Sequence, residues 1–167
     1  LLFGRRDLRV PRPATVEDLC RVHTPSYLEA VTHPDVLGRI FALSPESIDV
    51  DALLDAKRLA VGGTIAAAHV AAKGDCRVAF NLGGGFHHAE PELGAGFCVY
   101  NDVAVAIEKL RASGFGRRIA IVDLDYHQGN GDLVVFADDP TVLTFSVHGS
   151  VWSHVEAVAS EQHLLPS

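Results

Sequence analysis

The chain has 167 residues, of which 48% are hydrophobic and 21% are charged, and its formal net charge is −7. That length fits one domain of ordinary size, and the apolar share is too high for a disordered chain. The excess of 21 acidic over 14 basic residues argues against nucleic-acid binding through a broad basic face.

The cysteines and the apolar stretches indicate the compartment. Cys20, Cys76 and Cys98 are odd in number and far apart, a pattern that predicts neither a disulfide framework nor a thiolate zinc site and is typical of a reducing environment. The longest apolar stretch, residues 59–72, is shorter than the roughly 20 residues of a membrane-spanning helix. The sequence opens on no signal-peptide pattern, so we expect a cytoplasmic protein that binds no membrane.

Short helices broken by prolines are predicted over the first 50 residues. Thr15, followed by Asp18 three residues later, is a loose variant of a capping box, and Thr24 precedes a proline that starts a second short helix. The longest helical pattern covers residues 51–73. Gly62–Gly63 either weakens this helix or lets another backbone approach it closely.

The second half of the chain alternates strands and helices. Strands are predicted over 77–82, 119–124 and 142–147, with helices over 101–111 and 132–137. The strand at 119–124 is almost wholly apolar, as expected of a buried strand in a parallel sheet. This order predicts an α/β fold, a three-layer parallel sheet with helices on both faces.

Two acids and a histidine end the strand over 119–124. Asp123, Asp125 and His127 alternate along the chain, so they share one side wherever the chain stays extended. They also lie at the carboxyl end of a strand, where open α/β sheets place their ligands. A carboxylate and an imidazole two residues apart suit a divalent metal. The alternative is an acidic strand end that faces solvent, with His127 capping a turn.

A glycine-rich loop with two histidines forms the second candidate. Three glycines at 83–85 precede Phe86, His87 and His88. An imidazole accepts a proton near physiological pH, and a carboxylate can orient it, so one histidine could accept a proton while the other polarises or donates. The alternative is a surface histidine pair in a flexible loop. A phosphate-binding loop is poorly supported, because no Gly-Lys-Ser/Thr follows the glycines.

The third candidate is the segment 94–102. Its glycines let backbone approach a ligand, and Phe97 could form the wall of an apolar channel. We expect Cys98 to be a buried, inert thiol rather than a nucleophile. His148 ends the next predicted strand. The remaining histidines lack acidic or glycine neighbours, and we expect no special role for them: His23, His33, His69, His154 and His163.

Together these motifs resemble the histone deacetylase family, within the arginase/deacetylase superfamily. The matches form ordered blocks between residues 13 and 149, which include Gly-Gly-Gly-Phe-His-His at 83–88, Gly-Phe-Cys at 96–98, Asp-Leu-Asp-Tyr-His-Gln-Gly-Asn-Gly at 123–131 and Phe-Ser-Val-His-Gly at 145–149. The triple glycine, and His127-Gln128 in place of two histidines, look most like the class IV branch and its bacterial relatives.

The resemblance implies a catalytic metal site. Asp125 and His127 would be two of three protein ligands to zinc or ferrous iron, and His87 and His88 would be the tandem histidines beside the metal. Gly129 stands where a binuclear site of the arginase type has another acid, so one metal ion is expected rather than two.

The resemblance also implies partners for the two histidines. Asp123 would orient His87, and Asn130 would hold His88 without adding a negative charge. Gly96 and Phe97 would line the channel for an acylated lysine. A structural potassium ion is implied as well, with ligands from Asp123, Asp125, His127, Ser146 and Val147.

The implied function is metal-dependent removal of acetyl or other acyl groups from lysine or related amines, including polyamines. We interpret residues 1–167 as a single partial deacetylase-like domain, roughly the first half of an enzyme, because the family's third metal ligand and its transition-state tyrosine are expected beyond residue 167. This chain alone is then expected to be inactive.

The alternative is a non-catalytic acyl-lysine reader or a metal-binding remnant. A third interpretation, a nucleotide-binding α/β domain, is supported only by the glycines and the fold class. The sequence leaves open the substrate, the acyl length, zinc against iron, and the oligomeric state.

Overall fold

A computed structural model describes residues 8–166. Helices alternate with strands in the second half, and a short 3₁₀ helix covers Pro45–Ser47. The helices are α1 (Val16–Leu19), α2 (Pro25–Ala30), α3 (Pro34–Phe41), α4 (Val50–Lys73), α5 (Asp102–Ala112) and α6 (Asn130–Val135); the strands are β1 (Ile119–Asp123), β2 (Val142–His148) and β3 (Ser160–Leu164).

Side-chain caps explain where the helices begin. The capping box at α1 is complete, since Thr15 and Asp18 each accept a hydrogen bond from the other's backbone N–H at 3.1 Å. Asp49 and Asn101 cap α4 and α5 by accepting backbone N–H groups three residues later. Helix α4 ends at Gly74 in the left-handed conformation, φ 78°. These predicted helices are confirmed, while α6 begins two residues earlier than predicted.

The glycine pair in α4 marks a close backbone approach. A Cβ on Gly62 would lie 1.8 Å from the Arg12 carbonyl oxygen, because the segment before α1 crosses the helix there. The Ala14 N–H donates to the Arg58 carbonyl at 2.9 Å beside the same crossing. Of the two interpretations of Gly62–Gly63, the close approach is the one that the structure supports.

The strands form a parallel sheet in the order β1–β2–β3. This confirms the α/β class and the strands at 119–123 and 142–148, and it adds β3, which was not predicted. The strand predicted over 77–82 is wrong: this segment joins no sheet, and Val78, Phe80 and Leu82 are exposed. An extended apolar segment becomes a strand only beside a neighbour that pairs with its N–H and C=O groups, and no strand between residues 8 and 166 does so.

Only one face of the sheet is covered by the described helices. Ile119, Ile121 and Val142 point to that face, where they pack with side chains of α5 and with Val135 and Phe136. The opposite face exposes 61% of Val122 and 37% of Leu143. The second helical layer of the predicted three-layer fold is therefore not among the elements of residues 8–166, and the fold is an incomplete one.

None of the helices within residues 8–166 is long and apolar enough to cross a bilayer.

Candidate active site

The chain leaves β1 through two consecutive turns that keep three side chains together. The Asp125 N–H donates to Asp123 Oδ1 at 2.9 Å, and the His127 N–H donates to Asp125 Oδ1 at 2.8 Å. The second of these bonds is the main reason that the pKa of Asp125 is lowered. The extended geometry on which the predicted alternation depends ends at Asp123, and the turns instead bring His127 Nδ1 to 3.1 Å from Asp125 Oδ1.

The glycine-rich loop is held by Asp102 at the start of α5. The buried Asp102 carboxylate accepts the N–H groups of Gly85 and Phe86 at 3.0 and 2.7 Å, and also the Thr64 hydroxyl. A bond to a charged acceptor is stronger than a neutral one. This anchor fixes the backbone immediately before His87, so the histidine pair is not a flexible surface feature.

His87 is paired with the acids at the end of β1. Its Nδ1–H donates to Asp123 Oδ2 at 2.6 Å, and its Nε2 lies 3.8 Å from Asp125 Oδ1. Burial acts to lower the pKa of His87, but the hydrogen bond and the negative charge of Asp123 outweigh burial, so the pKa is raised.

His88 has a neutral partner instead. Its Nδ1 is 2.6 Å from Asn130 Oδ1, and its ring is 4.1 Å from the ring of His87. Burial lowers the pKa of His88, helped by the neighbouring His87 and His127, and the Asn130 bond only partly opposes this. The two histidines are therefore shifted in opposite directions, which is the pattern of an acid and a base that divide one task.

The start of α6 brings Asn130 to this site. The Gly131 N–H donates to the His87 carbonyl at 2.8 Å, and a Cβ on Gly131 would lie 2.3 Å from the Ala89 carbonyl oxygen. Only glycine lets the helix start approach the histidine loop this closely. This contact explains the glycine at position 131.

Asp125 and His127 fit a divalent ion of the zinc or iron type. One carboxylate oxygen and one imidazole nitrogen 3.1 Å apart could share an ion at about 2.0–2.2 Å from each, and about half of each side chain is exposed to solvent. Catalytic zinc normally has three protein ligands. Among residues 8–166 there is no group of three or more His, Cys, Asp or Glu that could hold a metal, and the assignment of Asp125 and His127 as ligands stays a prediction.

The predicted potassium ligands lie around the ends of β1 and β2. Asp123 and Ser146 are register partners on these strands, and Ser146 Oγ is 2.8 Å from His148 Nδ1. Val147 follows Ser146 in β2, and Asp125 and His127 follow β1. The potassium site stays a prediction.

Gly96 packs directly against His88. Its φ is 53°, and a Cβ there would lie 2.3 Å from His88 Cδ2, so only glycine fits. Phe97 also has a positive φ, and its side chain is 61% exposed beside Phe41, 6.1 Å between ring centroids. Their role as channel walls stays a prediction. Cys98 is buried, and burial raises the pKa of its thiol to about 11, as expected of an inert cysteine.

Sequence reasoning assigned no role to Trp152, which lies over the site. Its indole is stacked on the His88 ring, with centroids 3.8 Å and planes 15° apart. Gln128 holds this segment in place, because the buried Gln128 Oε1 accepts the backbone N–H groups of Trp152 and Ser153 at 2.9 and 2.8 Å. The available signals were the chain's single tryptophan and the glutamine beside His127.

A buried polar network supports the histidine loop from behind. His23 donates from Nδ1 to the Glu90 carbonyl at 3.1 Å and accepts the Asn101 N–H at Nε2, 3.0 Å away. Burial lowers the pKa of His23 to about 4, so it is neutral in the fold. Asn101 Nδ2 donates to Asp132 Oδ1 at 2.8 Å, and burial raises the pKa of Asp132 to about 7.

The fold and the site thus define a parallel α/β protein with tandem histidines beside an aspartate and a histidine that follow β1. The histone deacetylase domain matches residues 2–155, and the chain belongs to this family.

Proteins similar to this chain are known from bacteria and from a plant. The chain is 39% identical over 153 residues to the acetoin utilization protein AcuC of Bacillus subtilis, covering 87% of this chain and 39% of AcuC. It is 36% identical over 147 residues to histone deacetylase 2 of Arabidopsis thaliana, covering 83% of this chain and 36% of that protein. The crystal structure of an HDAC homolog from Aquifex aeolicus has a TM-score of 0.72 at 33% identity, covering 89% of this chain and 41% of that one. The chain therefore spans about two fifths of the length of the relatives it matches.

Proposed function

We propose that the protein containing this chain hydrolyses the amide bond of an acylated lysine or a related acylated amine. The observation that carries the proposal is the pair of histidines with opposite partners: His87 bonded to charged Asp123, and His88 bonded to neutral Asn130. Amide hydrolysis needs one group to take a proton from water and another to stabilise negative charge. Two imidazoles with opposite pKa shifts meet both needs.

Asp125 and His127 are the residues that would hold the metal. A divalent ion at this position would polarise the amide carbonyl and lower the pKa of water toward about 7. The donors, one oxygen and one nitrogen, suit zinc or iron(II). The potassium site predicted from Asp123, Ser146 and Val147 belongs to the same proposal as a structural site.

His88 is the proposed general base. A neutral partner and burial keep it unprotonated, so its Nε2 accepts the proton of the attacking water and then returns it to the departing amine. The raised pKa of His87 favours its protonated form beside Asp123, and this form would stabilise the negative charge that develops on the carbonyl oxygen.

The aromatic side chains around His88 would exclude water and hold the acyl-amine chain. Trp152 covers one face of the imidazole, and Gly96 contacts its edge. With Phe97 they would form an apolar approach to His88, and a long uncharged acylated side chain suits such walls. The acyl length and the identity of the amine are left to experiment.

Turnover of defined substrates tests the proposal. The protein containing this chain is stripped with a chelator, reloaded with Zn²⁺ or Fe²⁺, and assayed on an acetyl-lysine peptide and an acetylated polyamine. We expect hydrolysis that needs metal and is lost in His88→Ala, while His33→Ala, at the start of α3, keeps it. Inactivity of the loaded protein on all acylated amines would contradict the proposal.

A second candidate is a non-catalytic module that binds acyl-lysine. It is favoured by one observation: residues 8–166 contain no group of three or more His, Cys, Asp or Glu that could hold a metal, whereas catalytic zinc sites have three protein ligands. Saturable binding of an acetyl-lysine peptide without any turnover by the metal-loaded protein would support this module over the enzyme.

A further inference from the structure

The side-chain amide of Asn130 lies between two groups that it bonds in different ways. Its Oδ1 is 2.6 Å from His88 Nδ1, and its Nδ2 donates to Glu90 Oε1 at 2.8 Å. Asn130 is 4% exposed and His88 is 3% exposed. Water has little access to either side chain, so these two bonds decide which way the amide faces.

A carboxylate selects one orientation of this amide, because it accepts hydrogen bonds and donates none. If the amide were flipped, its oxygen would face the Glu90 oxygen with no proton between them. Its NH₂ group would then face His88 Nδ1. The facing oxygens of Asn130 and Glu90 would repel each other and leave Asn130 Oδ1 without a donor, so this orientation is disfavoured.

The selected orientation in turn fixes the tautomer of His88. An amide oxygen only accepts, so His88 Nδ1 carries the proton and Nε2 of the neutral ring keeps its lone pair. We propose that Glu90 is a positioning residue that sets this tautomer through Asn130. The inference depends on the proposed function only in the use of the free Nε2 as a base.

Glu90 is itself fixed by its backbone. Its N–H donates to the Leu93 carbonyl at 2.8 Å, and its carbonyl accepts from the buried His23 ring at 3.1 Å. The next residue, Pro91, accepts the Thr24 N–H at 3.0 Å. These bonds fix the backbone from which the Glu90 carboxylate reaches Asn130.

The substitution Glu90→Gln tests the selection without changing the shape of the side chain. A glutamine amide can accept from Asn130 Nδ2 or donate to Asn130 Oδ1, so both orientations of Asn130 become satisfied. The ¹⁵N spectrum of the histidine-labelled chain reports the tautomer of His88, assigned by the signal that His88→Gln removes.

We expect the wild-type chain to show His88 with the proton on Nδ1 alone, and E90Q to show a mixture with an Nε2–H form. Glu92→Gln, an exposed acid in the same loop, is the matched control and keeps the wild-type tautomer. In the double variant E90Q/N130D, residue 130 offers only acceptor oxygens, so Nδ1 is again protonated throughout.

An unchanged tautomer in E90Q, or an Nε2–H form in the wild type, would overturn the role of Glu90. This readout needs no substrate and no metal. A failed deacylation assay would leave the tautomer result in place, and a failed tautomer test would leave the hydrolytic activity to be judged by turnover alone.

Discussion

Trp152 and His88 are stacked 3.8 Å apart with their ring planes 15° from parallel, although they are far apart in the sequence. Trp152 is the chain's only tryptophan, so its fluorescence reports on one place in the molecule. A protonated imidazole stacked on an indole is a cation held against an aromatic face, and it quenches the emission of the indole. The contact thus gives an optical probe of the proposed base.

We predict that Trp152 emission falls as the pH is lowered, with a midpoint below 6.5, because burial lowers the pKa of His88 from that value. The substitution His88→Gln removes this transition, and His154→Gln, an exposed histidine near Trp152 in sequence, retains it. A transition that persists in the His88 variant would show that the indole senses another group.

Asp123 is predicted to set the upper pH limit of the reaction. Its charge raises the pKa of His87, and activity is lost as pH rises through that pKa and His87 loses its proton. Asp123→Asn removes the charge, so the upper limb of the kcat–pH profile moves to lower pH. The profile of the exposed control Asp138→Asn stays at the wild-type position; a wild-type profile in Asp123→Asn would contradict the charge argument.

His88→Ala is predicted to reduce kcat by about 10²–10⁴ with little change in KM, because general base catalysis contributes this much. Steady-state kinetics of the metal-loaded protein on an acetylated amine measures both parameters. His69→Ala, on α4, is the control and keeps the wild-type kcat. A His88→Ala enzyme within tenfold of wild type would remove the proposed base from the mechanism.

Asp132 makes stability depend on pH in a direction opposite to that of most acids. Its pKa is raised from 3.8 to about 7, so between these values the unfolded chain releases a proton that the folded chain keeps. This group therefore costs stability progressively as pH rises from 3.8 to 7, about 1.4 kcal/mol for each pH unit.

The isosteric variant Asp132→Asn lacks that titration. Its free energy of unfolding, relative to the wild type, is predicted to rise between pH 4 and pH 7 by up to about 4 kcal/mol. Urea unfolding at several pH values measures the difference. A constant difference across this range would show that Asp132 is already ionised in the fold.

Asp102 is predicted to be the main stabiliser of the histidine loop. Asp102→Ala leaves the Gly85 and Phe86 N–H groups without their acceptor and costs about 2 kcal/mol or more in the free energy of unfolding. Asp75→Ala, at an exposed position after α4, is predicted to change it by less than about 0.5 kcal/mol. Equal changes in the free energy of unfolding in the two variants would contradict the role of Asp102 as the anchor of the histidine loop.

Local patterns were sufficient to predict most of the fold. The capped starts of α1 and α5 and the apolar run of β1 depend on residues close together in sequence. The errors concern pairing. Residues 77–82 have the pattern of a strand but pair with none, while the polar β3 (Ser160–Leu164) has no apolar pattern and forms because β2 has a free edge beside it.

The same distinction applies to the candidate site: local motifs were predicted from the sequence, and contacts between distant segments were not. The histidine pair and the Asp-x-Asp-x-His segment stand out as motifs, and the structure brings them together at the end of β1. Trp152 and Glu90 reach His88 and Asn130 through contacts between distant parts of the chain, which no spacing rule reveals.

The most direct test of the central claim is where a divalent ion binds. Titration of Co²⁺ into the histidine-labelled chain is predicted to shift and broaden the imidazole signals of His127, His87 and His88 first. Asp125→Asn and His127→Gln are predicted to abolish this selectivity. Equal effects on the exposed His154 and His163, with no change in either variant, would contradict a metal position shared by Asp125 and His127.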